Sequence, residues 1–84
     1  MTEKILRFSA SWCQPCKMLA KNLENTDLGV PIEVVDIDAA PELAEQYGIR
    51  SVPTLVYLKD GKEVGRQMGV KTPLVLEEWV RSYK

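Results

Sequence analysis

The sequence predicts an α/β fold: one four-stranded mixed sheet with helices on both faces, in the order β-α-β-α-β-β-α. Two patterns support this prediction. Apolar residues switch repeatedly between the alternate spacing of strands and the wider period of helices. A helix separates the first two predicted strands, which favours a right-handed parallel crossover, whereas an Asp-Gly turn joins the last two, which favours an antiparallel hairpin. With 84 residues, 45% of them hydrophobic, the chain suits a single domain over residues 1–84.

The first half of the chain supplies two strands and the helix between them. Residues 4–10 carry apolar side chains at alternate positions, as a strand does. Pro15 suits the first turn of the next helix, because a proline there gives up no intrahelical hydrogen bond. Gly29 and Pro31 are expected to end that helix. Residues 32–38 are nearly continuous in apolar character, which predicts a strand in the sheet interior.

The second half supplies a short helix, a hairpin and a closing helix. The short helix begins near Pro41 and ends at Gly48. The hairpin strands are predicted at residues 54–58 and 63–69, and Thr72 is expected to cap the last helix. The two cysteines fall where the first strand ends and the first helix begins, which is where open α/β sheets place their chemistry.

Charge and hydropathy exclude several classes of function. The formal net charge is −1 with both signs interspersed, so no basic stripe predicts nucleic-acid binding. No segment approaches the roughly 20 apolar residues of a membrane helix. The apolar run at the N-terminus is short and is broken by Arg7, unlike a signal peptide. We therefore expect a cytoplasmic protein, without membrane contact and monomeric.

Cys13 and Cys16 are the only cysteines, and four uses compete for them. A structural zinc site needs four ligands, and with no histidine present only a dimer sharing two cysteine pairs could complete one. A structural disulfide would close a loop too short to remove much chain entropy. Two inert buried thiols are possible, but Trp12, Gln14 and Pro15 suggest a turn at a helix start rather than a core segment.

A working redox pair agrees best with this location. Unpaired N–H groups and the helix dipole favour an anion at a helix N-terminus, so the Cys13 thiolate is expected to be stabilised. Cys16, one turn into the helix, is expected to be more buried. A thiolate attacks a disulfide to give a mixed disulfide, which a second thiol then releases. We predict Cys13 as the attacking thiol and Cys16 as the resolving thiol, with no metal or cofactor.

A second motif, Ser-Val-Pro-Thr at residues 51–54, places a proline at the start of a predicted strand. Such a proline needs a reason, because it cannot donate to the sheet. A cis bond between Val52 and Pro53 would turn the backbone sharply. An ordinary trans bond stays open, since only about 5–6% of such bonds are cis in folded proteins.

Five other residues are given structural roles. Asp36 and Asp38 are expected to solvate a strand end and to cap a helix, rather than to act as catalytic acids. Trp79 and Tyr83 are expected to pack the last helix, and Met68 to lie on a strand beside the site.

Together, these motifs resemble the thioredoxin family from about residue 4 to the end. The resemblance rests on Trp-Cys-Gln-Pro-Cys, Tyr-Gly-Ile-Arg-Ser-Val-Pro-Thr, the Lys-Asp-Gly hairpin, a later glycine and a closing amphipathic helix. It implies a thioredoxin-like fold and a protein disulfide reductase in which Cys13 attacks and Cys16 resolves, leaving a Cys13–Cys16 disulfide. It also implies a cis proline facing the pair and a substrate groove lined by Trp12, Gln14, Pro15, Val52, Pro53 and Gly69.

The resemblance also implies partners. These are a flavin-dependent thioredoxin reductase as electron donor and disulfide-bearing proteins, such as ribonucleotide reductase, as clients. Two alternatives stay open. One is a glutaredoxin-like protein reduced by glutathione, which the small size favours and the Trp-Cys-Gln-Pro-Cys string does not. The other is a thioredoxin-fold binding subunit whose disulfide chemistry is incidental.

The sequence departs from the family pattern in several places. The family usually begins with a further strand and helix, and usually has Gly-Pro where Gln14 and Pro15 stand. Arg7 occupies the position of a buried acid, and Val34 that of a nearby lysine. An arginine stays protonated, so Arg7 could favour the thiolate and make the pair more oxidising. Alternatively Arg7 reaches water or pairs with Asp36, because an unpaired buried guanidinium is costly.

Overall fold

The computed structural model describes residues 2–84, and it confirms the predicted fold class. The four strands are β1 (Glu3–Ser9), β2 (Ile32–Asp36), β3 (Thr54–Lys59) and β4 (Lys62–Met68). The three helices are α1 (Gln14–Glu24), α2 (Pro41–Gln46) and α3 (Pro73–Arg81). The sheet order is β2-β1-β3-β4; β1 is parallel to β2 and antiparallel to β3, and β3 is antiparallel to β4.

One face of the sheet is covered by α1 and α3. Ile5 of β1 is fully buried there with Leu19 of α1 and Leu76 of α3. Tyr57 of β3 lies in the same cluster, with its hydroxyl donating to Glu3 Oε1 at 2.8 Å and its ring 5.7 Å from that of Trp79. These contacts fix both helices against the centre of the sheet, because successive apolar side chains of each helix share one stripe.

The opposite face of the sheet is covered by α2. Phe8 and Val56 are fully buried there, and Leu43 and Tyr47 from the α2 region pack against them. Phe8 and its alternate neighbours on β1 point to this face, whereas Ile5 points to the other, as strand geometry requires. The sheet therefore carries helices on both faces, and its two central strands, β1 and β3, are covered on each side.

Local signals in the second half behave as predicted. Asp60 and Gly61 between β3 and β4 have φ values of 53° and 83°, the left-handed conformations that a tight hairpin turn needs. Thr72 caps α3, because its Oγ1 accepts a hydrogen bond from the Val75 N–H at 3.3 Å. Among residues 2–84, no helix has both the length and the apolar character to cross a bilayer.

The end of α1 differs from the prediction. The helix stops at Glu24, well before Gly29, and Asn25 is its C-terminal cap. The Thr26 hydroxyl donates to the Asn22 carbonyl oxygen at 2.9 Å, and the Thr26 N–H donates to Leu23. Polar side chains that bond to the nearby backbone compete with helix continuation, so this short segment ends the helix without a glycine.

The position of β2 also differs from the prediction. Its apolar sequence suggests an interior strand, but β2 lies at the edge of the sheet. Of its five residues only Val35 is buried, whereas Val34 is 55% exposed. Strand order is decided by long-range pairing, and β-branched residues such as valine occur at edges as well as in the interior.

Candidate active site

Cys13 lies at the junction of β1 and α1. After β1 ends at Ser9, the chain turns, and the Cys13 N–H donates to the Ala10 carbonyl oxygen at 3.2 Å. Cys13 itself is extended, with φ −93° and ψ 109°, and its carbonyl oxygen accepts from the Lys17 N–H at 3.3 Å. This is the geometry of a helix N-cap, so the sulfur lies beside backbone N–H groups that have no partner within the helix.

The sulfur atoms of Cys13 and Cys16 lie at disulfide-bonding distance, with their Cα atoms 5.3 Å apart. The Cys16 N–H donates to Cys13 Sγ at 3.2 Å. Pro15, between them, has no N–H of its own. The first turn of α1 therefore directs a backbone donor at the first sulfur, and a hydrogen bond of this kind stabilises a thiolate.

Both cysteines are buried, and Cys16 is slightly the more buried of the two, as predicted. Cys13 is 4% exposed and Cys16 is 2% exposed. Both sulfur-bearing side chains belong to a small cluster with Ala10, against which Ile37 and Val52 pack. These neighbours come from other segments of the chain, and the local sequence around Cys13 does not reveal them.

The loop before β3 faces the cysteine pair. The Val52–Pro53 peptide bond is cis, as the family resemblance implies. The Val52 carbonyl oxygen lies 3.6 Å from Cys13 Sγ, and the Pro53 carbonyl oxygen accepts from the Gly69 N–H at 2.9 Å. Gly69 has φ 83°, a conformation that favours glycine. Three separate segments therefore meet at this end of the sheet: those that carry Cys13, Val52–Pro53 and Gly69.

Trp12 extends over the surface beside the pair. Its side chain is 65% exposed, and its Nε1–H donates to Asp38 Oδ2 at 2.9 Å. The Asp38 N–H in turn donates to Asp36 Oδ1 at 2.8 Å. Sequence analysis gave Asp38 only a capping role, because no local pattern connects it to a tryptophan that precedes it by 26 residues. Asp38 is therefore a site residue that the sequence did not reveal.

Two further predicted groove residues, and the strand residue Met68 that was expected beside the site, are exposed. Gln14 and Pro15 are exposed in the first turn of α1. Met68 is 61% exposed at the end of β4, next to Gly69. Of the predicted groove positions, Val52 contacts a sulfur directly through its carbonyl oxygen. The groove as a whole, and its part in binding, stays a prediction.

Arg7 lies on β1 with its side chain toward α1, at a cavity of about 280 Å³ that Cys16 also lines. Burial lowers the pKa of Arg7. Within residues 2–84 no carboxylate lies within ion-pairing distance of its guanidinium, so the suggested pair with Asp36 is absent. No nitrogen or oxygen atom of a side chain in this part of the chain is both buried and unpartnered, so the guanidinium keeps some contact with solvent.

The described part of the chain holds no candidate metal centre. Over the described residues, no three or more histidine, cysteine, aspartate or glutamate side chains are grouped so that they could hold a metal ion.

Comparison with known proteins places this site in a family. The family model described as Thioredoxin matches residues 2–82. The thioredoxin of Chlamydia muridarum is 49% identical over 70 residues, which are 80% of this chain and 69% of that protein. The thioredoxin of Bacillus subtilis is 42% identical over 80 residues, 90% of this chain and 77% of that protein. The solved structure of a mutant thioredoxin from Halobacterium salinarum matches with a TM-score of 0.85 at 35% identity, over 96% of this chain and 74% of that one.

The family match and the site geometry support the same chemistry. The matched region includes both cysteines, and their sulfurs are close enough to form and break a disulfide. With a helix N-terminus beside the first sulfur, the pair can exchange electrons with another disulfide. The chain belongs to the thioredoxin family and is a thiol–disulfide oxidoreductase.

Proposed function

We propose that Cys13 is the attacking thiol and Cys16 the resolving thiol of a protein disulfide reductase. The observation that carries this assignment is the hydrogen bond from the Cys16 N–H to Cys13 Sγ, 3.2 Å long, at the first turn of α1. It supports an asymmetric pair, because the backbone donor acts on the first sulfur and not on the second. A thiolate is the reactive form of cysteine, so the stabilised sulfur is the better attacker.

The reaction conserves atoms and electrons in two exchanges. The Cys13 thiolate attacks one sulfur of a client disulfide; that bond breaks, and the other client sulfur leaves as a thiolate and takes a proton from water. The Cys16 thiol then loses its proton and attacks Cys13 Sγ, which releases the second client sulfur. Two electrons have passed to the client, and a Cys13–Cys16 disulfide remains, the state in which the two sulfurs are found at bonding distance.

The surface around the pair supports a protein as client. Trp12 and Met68 are more than half exposed, and the Val52 carbonyl oxygen lies 3.6 Å from Cys13 Sγ. Gly69 is held to the same loop by its hydrogen bond to the Pro53 carbonyl oxygen. Exposed apolar side chains near a reactive centre favour a polypeptide partner over a small polar molecule. We propose that these residues, with Gln14, Pro15 and Pro53, contact the client.

The partners follow from the family. Thioredoxins act on disulfide-containing clients and take electrons from thioredoxin reductase. For this protein we propose a thioredoxin reductase as donor, with ribonucleotide reductase among the candidate clients. A reductase role suits a compartment that keeps thiols reduced, so we propose the cytoplasm, and we propose that the single domain acts as a monomer.

The assignment is tested with insulin as a model disulfide client and dithiothreitol as reductant. The wild-type protein should accelerate insulin reduction, and Cys13→Ser should abolish the acceleration. Cys16→Ser should form stable mixed disulfides through Cys13 with proteins in a lysate, because the resolving thiol is gone. Mixed disulfides that form more readily with Cys13→Ser than with Cys16→Ser would reverse the assignment of the two roles, and equal amounts would remove the asymmetry.

The electron donor is tested separately. Wild-type protein is oxidised and then offered either thioredoxin reductase with NADPH, or glutathione with glutathione reductase. Faster reduction by thioredoxin reductase is expected. Efficient reduction by glutathione alone would support the glutaredoxin-like alternative, and a Cys13→Ser variant that retains the protein's biological role would support a binding subunit.

A further inference from the structure

A cavity of about 280 Å³ separates the sheet from the first turns of α1. Arg7 and Ser9 of β1 line it on the sheet side, together with Asp36 of β2, and Cys16 and Lys17 line it on the helix side. Cys16 therefore lines the cavity, whereas Cys13 does not. The resolving thiol therefore lies beside a solvent-connected cavity that combines charged side chains with apolar ones such as Ala20 and Val34.

Three charged side chains line this cavity, and they differ in how well they are solvated. Lys17 and Asp36 are exposed, and Asp36 Oδ1 already accepts the Asp38 N–H at 2.8 Å. Arg7 is partly buried, and in residues 2–84 its guanidinium forms neither an ion pair nor a hydrogen bond. The charge of Arg7 is thus the least screened of the three, because water surrounds the other two more fully.

Arg7 occupies a position that disfavours a cation. Burial lowers the pKa of Arg7, which means that the protein surroundings disfavour its charged form. A partly desolvated cation without a carboxylate costs free energy of folding. Its field instead acts on whatever ionises in the same cavity, and after reduction of the disulfide Cys16 becomes such a group.

We propose that Arg7 is a positioning residue that stabilises the Cys16 thiolate across this cavity and so makes the Cys13–Cys16 pair more oxidising. The proposal rests on the redox role proposed above for the two cysteines. In the disulfide neither sulfur is charged. When a thiol reductant supplies two electrons and is itself oxidised to a disulfide, the Cys13–Cys16 bond breaks and each of the two sulfurs becomes a thiolate or takes a proton. A cation near Cys16 favours the thiolate form of that sulfur. Stabilising the reduced form raises the reduction potential.

The test is the equilibrium of the protein with reduced and oxidised glutathione, measured as a function of pH. Above the pH at which Cys16 ionises, Arg7→Gln should shift this equilibrium about tenfold toward the disulfide, which is about 30 mV more negative. Arg7→Lys keeps the charge and should stay within about twofold of wild type. Lys17→Gln is the matched control: it removes the same charge from an exposed position of the same cavity and should shift the equilibrium by less than about threefold.

The pH dependence separates an electrostatic role from a structural one. Below the pH at which Cys16 ionises, both proteins hold a neutral Cys16 thiol when reduced, so their potentials should nearly coincide. The difference should grow as the pH rises through that ionisation. In a Cys13→Ser background, the ultraviolet absorbance of the thiolate should show Cys16 ionising at higher pH in Arg7→Gln than in the Arg7 protein. A packing defect would not produce this pattern or its rescue by lysine.

The outcomes of these experiments test the role of Arg7 and the proposed reductase function separately. Equal potentials for wild type and Arg7→Gln at every pH would overturn the role of Arg7, while insulin reduction by the wild type would leave the proposed function intact. Failure of the wild type to reduce insulin would overturn the proposed function instead. If Arg7→Gln does not fold, Arg7→Met keeps the aliphatic stem without the charge, and equal potentials for that variant would overturn the proposal in the same way.

Discussion

Two ends of one sheet face, both built on β1 and covered by helices, have opposite character. At one end Ile5 is fully buried with Leu19 and Leu76. At the other end, two and four residues further along the strand, Arg7 and Ser9 line a cavity beside Cys16. We call these the apolar end and the redox end. The comparison shows that stability and chemistry are separated along a single strand.

The apolar end stabilises the fold, whereas the redox end costs stability, so it helps that the two are separate. Each large side chain that the apolar end removes from water contributes about 1.5–3 kcal/mol of transfer free energy. The redox end gives up such contacts, because a cavity and a partly desolvated cation both lower stability. A small domain tolerates this only when the rest of its core is well filled. If the two ends are independent, a change at the redox end should affect activity more than stability, and a change at the apolar end should do the reverse.

The largest expected effect is on activity, at the redox end. Cys13→Ser should reduce dithiothreitol-driven insulin reduction to the background rate, because no attacking thiol remains. The free energy of unfolding, compared with that of the reduced wild type, should change by no more than about 1 kcal/mol. Urea denaturation and the insulin assay measure the two quantities. A Cys13→Ser protein that is active, or one that is severely unstable, would contradict the separation of chemistry from stability between the two ends.

The next largest effect is on stability, at the apolar end. Leu19→Ala should lower the free energy of unfolding by about 2–5 kcal/mol, because it leaves a cavity in the filled core. Val34→Ala is the matched control at the redox end: Val34 lines the cavity and is 55% exposed, so the cost should stay within about 0.5 kcal/mol. Urea denaturation of both variants checks this, and similar losses would mean that the two ends contribute equally.

An alkaline titration should also show how Tyr57 contributes to the stability of the apolar end. Burial, together with a hydrogen bond to Glu3, raises the pKa of Tyr57 to about 12. In the unfolded chain a tyrosine ionises near pH 10, so this stabilisation is complete below about pH 10 and is lost between about pH 10 and 12.

The control for this titration is Tyr57→Phe. At neutral pH it should be about 1 kcal/mol less stable than wild type, because Glu3 loses its hydrogen-bond donor. As the pH rises above about 10, the free energies of unfolding of the two proteins should converge, because only the wild type loses the contribution of Tyr57. Parallel curves would show that Tyr57 does not titrate differently in the folded and unfolded states.

The smallest expected effect is a gain in stability at the redox end. Arg7→Met should raise the free energy of unfolding by about 0.5–1.5 kcal/mol, because an apolar side chain replaces a partly desolvated cation without a carboxylate partner. Urea denaturation of the reduced proteins measures the change. A loss of more than about 1 kcal/mol would instead assign Arg7 to the support of the fold.

Much of the fold can be predicted from the sequence, because the deciding signals are local. Alternation predicts β1, the Asp60–Gly61 pair predicts the hairpin, and Thr72 predicts the start of α3. These features depend on a few neighbouring residues and on backbone conformations that only certain residues adopt. The position of Cys13 before a helix follows from the same kind of signal.

The differences arise where distant segments decide the outcome. Val34 belongs to an apolar run, yet strand pairing leaves β2 at an edge. Asp38 accepts a hydrogen bond from Trp12, although nothing in the sequence between them indicates the contact. Cys13 is nearly as buried as Cys16, because residues from other segments cover it. Strand order, side-chain partners and burial each depend on the assembled fold, so local patterns do not specify them.

The central claim is that the first turn of α1 makes Cys13 the more reactive of the two thiols. Brief alkylation of the fully reduced protein with limiting iodoacetamide at neutral pH, followed by mass mapping of the two cysteines, tests this most directly. We predict that Cys13 is modified at least about tenfold faster than Cys16, because its thiolate is the better stabilised one. Equal labelling of the two cysteines, or preferential labelling of Cys16, would contradict the account.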